Sequence, residues 1–406
     1  MIENSLLLEL PVPFKRSASG LMVEAQALNG LRRWSDNFSS VTVCAPLLPE
    51  SEDVDSSIIW KNPADLLAAR NVQLVELPWG YHPRDHFIYV AAVKKKFEDL
   101  IPTHRYLCFS NIGGIGAWGN IAAKAAVLQQ RRYAVWCDSV IYEMPWRSGI
   151  SITKTVKEYL LHWVTRHGTI KAIRRSSLGL FHGKTVYDRL SPFASAPALV
   201  HDVHVTAEDA ISDDALQTKL KSAQERKDLR IGYVGRLIAI KGPIDWISAI
   251  SGADRGGSQV QATWLGDGTM LAEAQRSVFQ QKMQDHIKFP GFIEDREKVL
   301  DFLREIDVLV FCHLTPESPR CLIESLISGT PIVGYVSSYA SELVGNRGGA
   351  ALVPIRDVVA LTRQIQRLAS DRNALCELIG AAATSRRLYN DEAVFAHRSM
   401  LIKQHL

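Results

Sequence analysis

Two cations five positions apart and two carboxylates seven positions apart carry the chemistry of the C-terminal half. The cations are Arg236 and Lys241, just past Gly235 at the end of the apolar run Arg230-Ile231-Gly232-Tyr233-Val234. A glycine there allows a sharp turn and lets a ligand approach the backbone. Two cations beside a helix start suit a diphosphate leaving group. As solvated loop charges they would do nothing of the kind. The carboxylates are Glu317 and Glu324. The loop His313-Leu314-Thr315-Pro316-Glu317 follows the apolar run 307–312 and leads into a helix. Ser318 is the expected N-cap and Pro319 the expected first helical residue. The free N–H groups of Arg320, Cys321 and Leu322 would then form an anion site. Glu324, within the first two turns, either chelates two ribose hydroxyls or is an exposed helix glutamate. Gly329-Thr330-Pro331 ends that helix. Between the two sets lies Gly266-Asp267-Gly268. It reads as a tight turn with Asp267 capping a helix, or as a nucleotide contact through Gly266. The backbone of 287–291 could hydrogen-bond a base.

The N-terminal half offers weaker candidates. Gly114-x-Gly116-x-x-Gly119 follows a strand-like run and precedes an apolar helix, with Asp138 ending the next run. Alone, this pattern predicts an NAD-binding enzyme. Its position after several other strand–helix units argues against that, and it leaves the C-terminal motifs unexplained. The other reading makes Gly113, Gly114 and Gly116 a ligand-facing loop at a strand end. Asp138 is then a carboxylate at the next strand end that could serve as a general base, or else a turn cap. Glu143 is a second candidate for that role. His182, at the end of Leu178–Phe181, is a third polar group expected to face a ligand, or a structural histidine. Residues 154–175 pair Lys154, Lys157, Arg166, Lys171, Arg174 and Arg175 with Trp163 and Leu160. They read as a basic helix that either lies on an anionic membrane or packs one face on the core.

Alternating strands and helices must position these residues. Residues 5–10, 41–46, 72–77, 105–109 and 133–137 read as strands, and 20–33 as a helix with Leu21, Ala25, Leu28 and Leu31 on one stripe. The rhythm breaks over the polar stretch 195–228 and resumes at 229–234, 259–265, 286–289, 307–312, 331–336 and 350–353. Such alternation predicts parallel sheets wrapped by helices, with ligands at the carboxyl ends of the strands. The expected organisation is an N-terminal domain over 1–197, a connection over 198–228, a second domain over 229–390, and a last helix over 391–406 that crosses back to the first.

These motifs resemble glycosyltransferase family four over roughly 229–354. The shared parts are Gly235-Arg236-Leu237 with Lys241-Gly242, the Gly-x-Gly turn, and two glutamates around a helix start. The resemblance implies the α/β GT-B architecture, two facing Rossmann-like doubly wound domains with an interdomain crevice. It implies a retaining, metal-independent transfer from a nucleotide-diphosphate sugar, with no other cofactor. The acceptor would be a glycan or a lipid-linked sugar. Arg236 and Lys241 would hold the diphosphate, Glu324 the ribose, and Glu317 the donor sugar. The loop Pro11–Gly20 fits the family's glycine-containing loop facing the donor phosphates, with Gly20 at its end and Lys15 and Arg16 adding charge. Two departures stand out. Six residues separate the glutamates where the family has seven, so Pro316 or Arg320 could shape the sugar pocket instead. Cys137-Asp138 stands where members carry a histidine–aspartate pair. A nucleotide-sugar epimerase, a phosphorylase, or a non-catalytic nucleotide- or glycan-binding protein on the same fold are the alternatives.

Length and composition agree with this reading. At 406 residues the chain exceeds what one core usually supports. Its net charge of +4 is too mild for a nucleic-acid binder. The six cysteines are scattered without a CxxC pair or a zinc spacing, which predicts reduced, buried thiols and a cytoplasmic setting. No run reads as a signal peptide or a membrane span.

Overall fold

The computed structural model describes residues 2–18, 20–50, 52, 58–110, 112–140, 152–201, 203, 205–315 and 317–406, with backbone alone at 65, 69 and 152–160. The chain forms two compact units. One comprises Met1–His204 with Asp391–Leu406, the other Val205–Asn390.

The strands of the first unit are β1 (Ile2–Glu9), β2 (Lys15–Ser17), β3 (Gly20–Glu24), β4 (Ser40–Pro46), β5 (Trp60–Lys61), β6 (Val72–Leu77), β7 (His104–Phe109), β8 (Ala134–Cys137), β9 (Leu178–His182) and β10 (Pro197–Val200). Seven form a parallel sheet in the order β10-β9-β8-β7-β1-β4-β6. Helices cover both faces, which is why the central strands are continuous apolar runs. Leu7, Leu107 and Phe109 pack against Phe97 and Trp118 on one face. Leu6, Leu8, Val41 and Val43 pack against Trp34 and Phe395 on the other. The last helix, Asp391–His405, therefore completes the first unit. The rings of Trp34 and Phe395 meet edge-on at 5.3 Å, and Arg33 pairs with buried Asp391 at 2.9 Å.

Three local expectations give way. Residues 20–24 are a strand, and the helix starts at Ala25 and runs to Asn37. The apolar stripe starting at Leu21 is overridden by antiparallel pairing of β3 with β2 and β5. By the same pairing, the loop expected over 11–20 contains the first arm of a hairpin. The polar stretch 195–228 is also structured. It contributes β10, so His182 does not end the last strand of its sheet. It also contributes the helix Asp213–Glu225, N-capped by Ser212, whose Oγ accepts from the Ala215 N–H at 3.2 Å. Its charged outer face had the composition of a linker.

The second unit holds β11 (Leu229–Val234), β12 (Val260–Leu265), β13 (Ile287–Gly291), β14 (Val308–Phe311), β15 (Ile332–Tyr335) and β16 (Ala350–Val353). They form a parallel sheet in the order β13-β12-β11-β14-β15-β16. Chain order reverses between β11 and β14, and in the first unit between β1 and β7. Ligands of open α/β sheets bind outside the carboxyl ends of the strands at such reversals.

Candidate active site

In the second unit the loops after β11 and β14 lie side by side at the reversal. After β11 the chain turns at Gly235, whose carbonyl accepts the indole N–H of buried Trp264 at 2.9 Å. A short turn, Ala239–Lys241, leads to Gly242 at φ 63°, the cap of the helix Pro243–Arg255. A Cβ on Gly242 would lie 2.3 Å from the Cys312 carbonyl oxygen, so only glycine lets this loop close on the end of β14. The Leu314 N–H then donates to the Ile240 carbonyl at 2.8 Å. Backbone contacts thus fix where Lys241 stands relative to the second loop.

The result is an ion pair. Lys241 Nζ donates to Glu317 Oε2 at 2.6 Å, with the two side chains 11% and 20% exposed. The other carboxylate oxygen, Glu317 Oε1, is buried and has no hydrogen-bond partner among the described residues. Nearby, His313 Nδ1 stands 3.5 Å away, beyond ordinary hydrogen-bond range. On its other side His313 Nε2 lies 2.6 Å from the hydroxyl of fully buried Tyr233 on β11. Burial, and secondarily the Lys241 charge, holds His313 well below the usual histidine range, so its imidazole is neutral. Burial likewise raises Tyr233 far above its ordinary value, so it keeps its proton.

Arg236 is exposed just past β11. Gly266 is buried at the end of β12, where a Cβ would come 2.0 Å from the Gly235 carbonyl oxygen. That contact seats one loop on the other. Asp267 does not cap the next helix, which starts at Leu271 after Met270. It accepts instead from the Gly268 N–H at 2.6 Å. The acidic helix spans Arg320–Ile327, one residue later than expected, with Pro319 at the cap and no side-chain cap bond. Ser318 is therefore not the cap. Its first turn is tight, and the Leu322 N–H is taken up by the Pro319 carbonyl at 3.2 Å. Of the three N–H groups expected to hold an anion, Leu322 is thus engaged. Cys321 is buried and its thiol is pushed up to about 12 by burial. Glu324 is one-fifth exposed and faces Arg296 Nη1 at 3.8 Å, while Arg296 Nη2 pairs with Asp209 at 3.0 Å.

In the first unit the candidates are spread along the sheet edge. Asp138 is exposed beyond β8 and accepts from the Ser139 hydroxyl at 3.2 Å. His182 is buried at the end of β9, its ring perpendicular to that of His201 at 6.4 Å. Gly20 begins β3, with open space where a side chain would be. Arg16 pairs with Glu76 at 2.6 Å, and Lys15 sits over the Trp60 ring. Glu143 and Pro316 lie outside the described residues. The dinucleotide fingerprint is spent on packing. A Cβ on Gly114 would meet Thr165 Oγ1 at 2.4 Å, and one on Gly116 would meet the Tyr81 ring at 2.5 Å. The following helix opens with Trp118, fully buried and bonded to the Pro78 carbonyl at 2.8 Å. A groove of about 330 Å3 opens beside this loop, lined in part by Gly113, Gly114, Ala117 and Asn120.

Sequence reasoning assigned no role to His313 or Tyr233. The signal was present: a histidine directly after a buried strand, four residues before a candidate glutamate. Recognising it required knowing that β11 and β14 are neighbours.

Residues 216–386 match the family described as Glycosyl transferases group 1. Among curated relatives, a 2-deoxystreptamine N-acetyl-D-glucosaminyltransferase of Streptomyces fradiae is 29% identical over 154 residues, 37% of this chain and 36% of that protein. The amylovoran biosynthesis glycosyltransferase AmsK of Erwinia amylovora is 26% identical over 178 residues, 42% of this chain and 43% of that protein. The matches span little more than half the length of the curated relatives at most. Among solved structures, Anabaena HepE in complex with UDP superposes with a TM-score of 0.68 at 14% identity, covering 99% of this chain and 100% of that one. Sucrose-phosphate synthase from Thermosynechococcus elongatus gives 0.65 at 15% identity, covering 99% of each. At such identities the structural likeness speaks for the fold alone. The chain thus resembles group 1 glycosyltransferases in the sequence of its second unit and has the GT-B glycosyltransferase fold over its length.

Proposed function

We propose that the protein is a retaining glycosyltransferase that moves a sugar from a nucleoside diphosphate to a hydroxyl of a glycan or lipid-linked acceptor. The observation that carries this reading is the Lys241–Glu317 pair at the strand-order reversal, with one carboxylate oxygen open. In the reaction the bond from the sugar's C1 to the diphosphate oxygen breaks. The bond from C1 to the acceptor oxygen forms, and the acceptor proton passes to a base. Lys241 and Arg236 stabilise charge gathering on the leaving diphosphate. Glu317 Oε1 accepts from a donor-sugar hydroxyl, Glu324 accepts from the ribose, and Gly266 keeps the nucleotide side of the loop close to the backbone. Asp138 is the first candidate base.

UDP is the first nucleotide to try, because HepE was solved with it. The relatives' names point to 2-deoxystreptamine as acceptor in one case and to amylovoran biosynthesis in another. The first unit has a cleft of about 460 Å3 whose lining includes Trp79, Tyr89, Glu76 and Asp85, suited to stacking and hydrogen-bonding a sugar. A second groove, about 330 Å3, combines Phe87, Ile121 and Val164 with Lys124, Lys171 and Arg175. Phe87 is 71% and neighbouring Trp163 54% exposed. This supports peripheral contact of the helix Ile152–Arg175 with an anionic membrane. No described helix is long and apolar enough to cross one.

The test is a thermal-shift panel with UDP, GDP, ADP and NAD, followed by product analysis with UDP-sugars with and without acceptor. A nucleotide at ~100 times its dissociation constant adds about 2.7 kcal/mol of stability. Stabilisation by one nucleoside diphosphate and acceptor-dependent product are expected, with the anomeric configuration kept. Stabilisation by NAD alone, or product formed without acceptor, would overturn the reading.

A further inference from the structure

We infer that His313 is a positioning residue: Tyr233 locks its imidazole with the proton on Nδ1, and that N–H holds the inner oxygen of Glu317 when Lys241 turns to a diphosphate. The inference rests on the donor-site reading above. It begins from an imbalance at Glu317. Lys241 grips Oε2 at 2.6 Å, while Oε1 is buried without a hydrogen bond. A buried acceptor left open is costly. Binding a diphosphate would draw the Lys241 ammonium toward the phosphates and weaken its grip on Oε2. A polar side chain already aimed at Oε1 is His313, with Nδ1 at 3.5 Å. A small shift of the carboxylate closes that gap, as commonly happens to long contacts when a site fills.

The tautomer follows from the partners. Tyr233 keeps its proton and has two neighbours, His313 Nε2 at 2.6 Å and the Cys321 thiol; a thiol is a weak acceptor, so the O–H is assigned to Nε2, which accepts. The imidazole proton then resides on Nδ1, facing the carboxylate. Charge matters as much as direction. Tyr233, Glu317 and Lys241 face this ring, and the buried Cys321 thiol lies beside the Tyr233 hydroxyl. A neutral ring orients Glu317 without competing with Lys241 for its charge. An imidazolium there would pair with Glu317 outright and compete with the donor sugar for it. Burial keeps the ring neutral.

Two experiments decide this. Nitrogen-15 NMR of the histidine rings in the full chain reads the tautomer without any donor. The expected spectrum for His313 is the Nδ1–H form, unchanged between about pH 5 and 8. A proton on Nε2, or titration within that range, overturns the inference even if the protein is a transferase. The second experiment compares His313→Leu, His313→Asn and Tyr233→Phe in kcat, KM and UDP affinity. His313→Leu should lower kcat about 10²-fold, as misplacement of a catalytic group does, with UDP affinity kept. His313→Asn, whose amide can present an N–H where Nδ1 stood, should recover most of the loss. Tyr233→Phe removes the donor that fixes the tautomer, so its His313 nitrogen-15 signals should lose the pure Nδ1–H pattern and its kcat should fall with UDP affinity kept. Equal impairment of the Leu and Asn variants, or an unchanged His313 tautomer in Tyr233→Phe, overturns the positioning role. Absence of any transfer by the unaltered protein, with the expected tautomer in place, would instead sink the donor-site reading.

Discussion

The two units share one architecture but use their carboxyl edges differently. In the second, the loops after β11 and β14 are tied by a backbone hydrogen bond, by a glycine pressed on a carbonyl, and by the Lys241–Glu317 pair. In the first, Asp138 and His182 lie at the ends of different strands, β8 and β9, and a Cβ on Gly114 or Gly116 after β7 would meet Thr165 or Tyr81. Glycine spacing alone does not separate these cases. The separation comes from what faces each glycine. A backbone carbonyl across a strand-order reversal preorganises charge, whereas a side chain fills space.

The sharpest way to break the contrast is Lys241→Ala. If this edge is built to stabilise a departing diphosphate, turnover with a nucleotide sugar should fall by about 10²–10³-fold, the usual effect of removing one such donor. Circular dichroism and thermal unfolding should show the fold intact. Near-normal turnover would remove Lys241 from the chemistry and leave a merely structural ion pair.

Asp138→Asn puts the equivalent question to the first unit. A general base should cost roughly 10²-fold or more when neutralised. Because Asp138 is exposed, stability should stay within about 0.5 kcal/mol. Unchanged kcat would reduce it to a turn residue bonded to Ser139.

Paired glycine variants test the packing argument itself. Gly242→Ala forces a Cβ against the Cys312 carbonyl at a left-handed φ of 63°, and backbone cannot yield easily. A loss of about 1–3 kcal/mol is expected, together with weakened UDP affinity. Gly114→Ala meets a threonine hydroxyl, which can rotate. It should cost less, about 1 kcal/mol, and leave UDP affinity alone. Equal effects on nucleotide binding would erase the distinction between the two edges.

The difference between the edges also explains what the sequence disclosed. Strand runs such as 72–77 and 229–234 were legible to the residue, because each is a short, mainly apolar, β-rich run with turn or polar residues around it. Lys241 and Glu317, singled out by type and spacing, meet in an ion pair, while Arg236 and Glu324 stay candidates by type and position. Residues 20–24 were misread because β3 exists only through its pairing with β2 and β5, which no local pattern states. The helix Asp213–Glu225 was hidden by its charged face, though its inner side buries Lys219, whose ammonium meets three backbone carbonyls and Thr330. What Gly114 and Gly116 pack against was not legible, because the fingerprint specifies a turn and not what the turn faces. His313 and Tyr233, 80 positions apart, meet only because of the sheet order.

The smallest expected effect is an acid dependence of stability, and it tests whether buried histidines distinguish the units. His313 in the second unit is held well below its ordinary value by burial, and His86 and His104 in the first are lowered by burial too. In each case the folded state binds the proton less readily than the unfolded chain. The stability these groups contribute is therefore fully present above about pH 6.5 and lost as pH falls toward their lowered folded values. The slope is at most about 1.4 kcal/mol per pH unit for each histidine. Urea unfolding of the full chain between about pH 7 and 5 should show weakening on acidification. His313→Asn should flatten the part of the curve belonging to the second unit's transition. His104→Asn should leave that part unchanged, since His104 bonds Thr42 within the first sheet at 2.7 Å. If His313→Asn leaves the slope intact, His313 titrates in the folded protein as it does in the unfolded chain. Burial would then not hold the ring neutral against acid, and the chief chemical difference between the two edges would be gone.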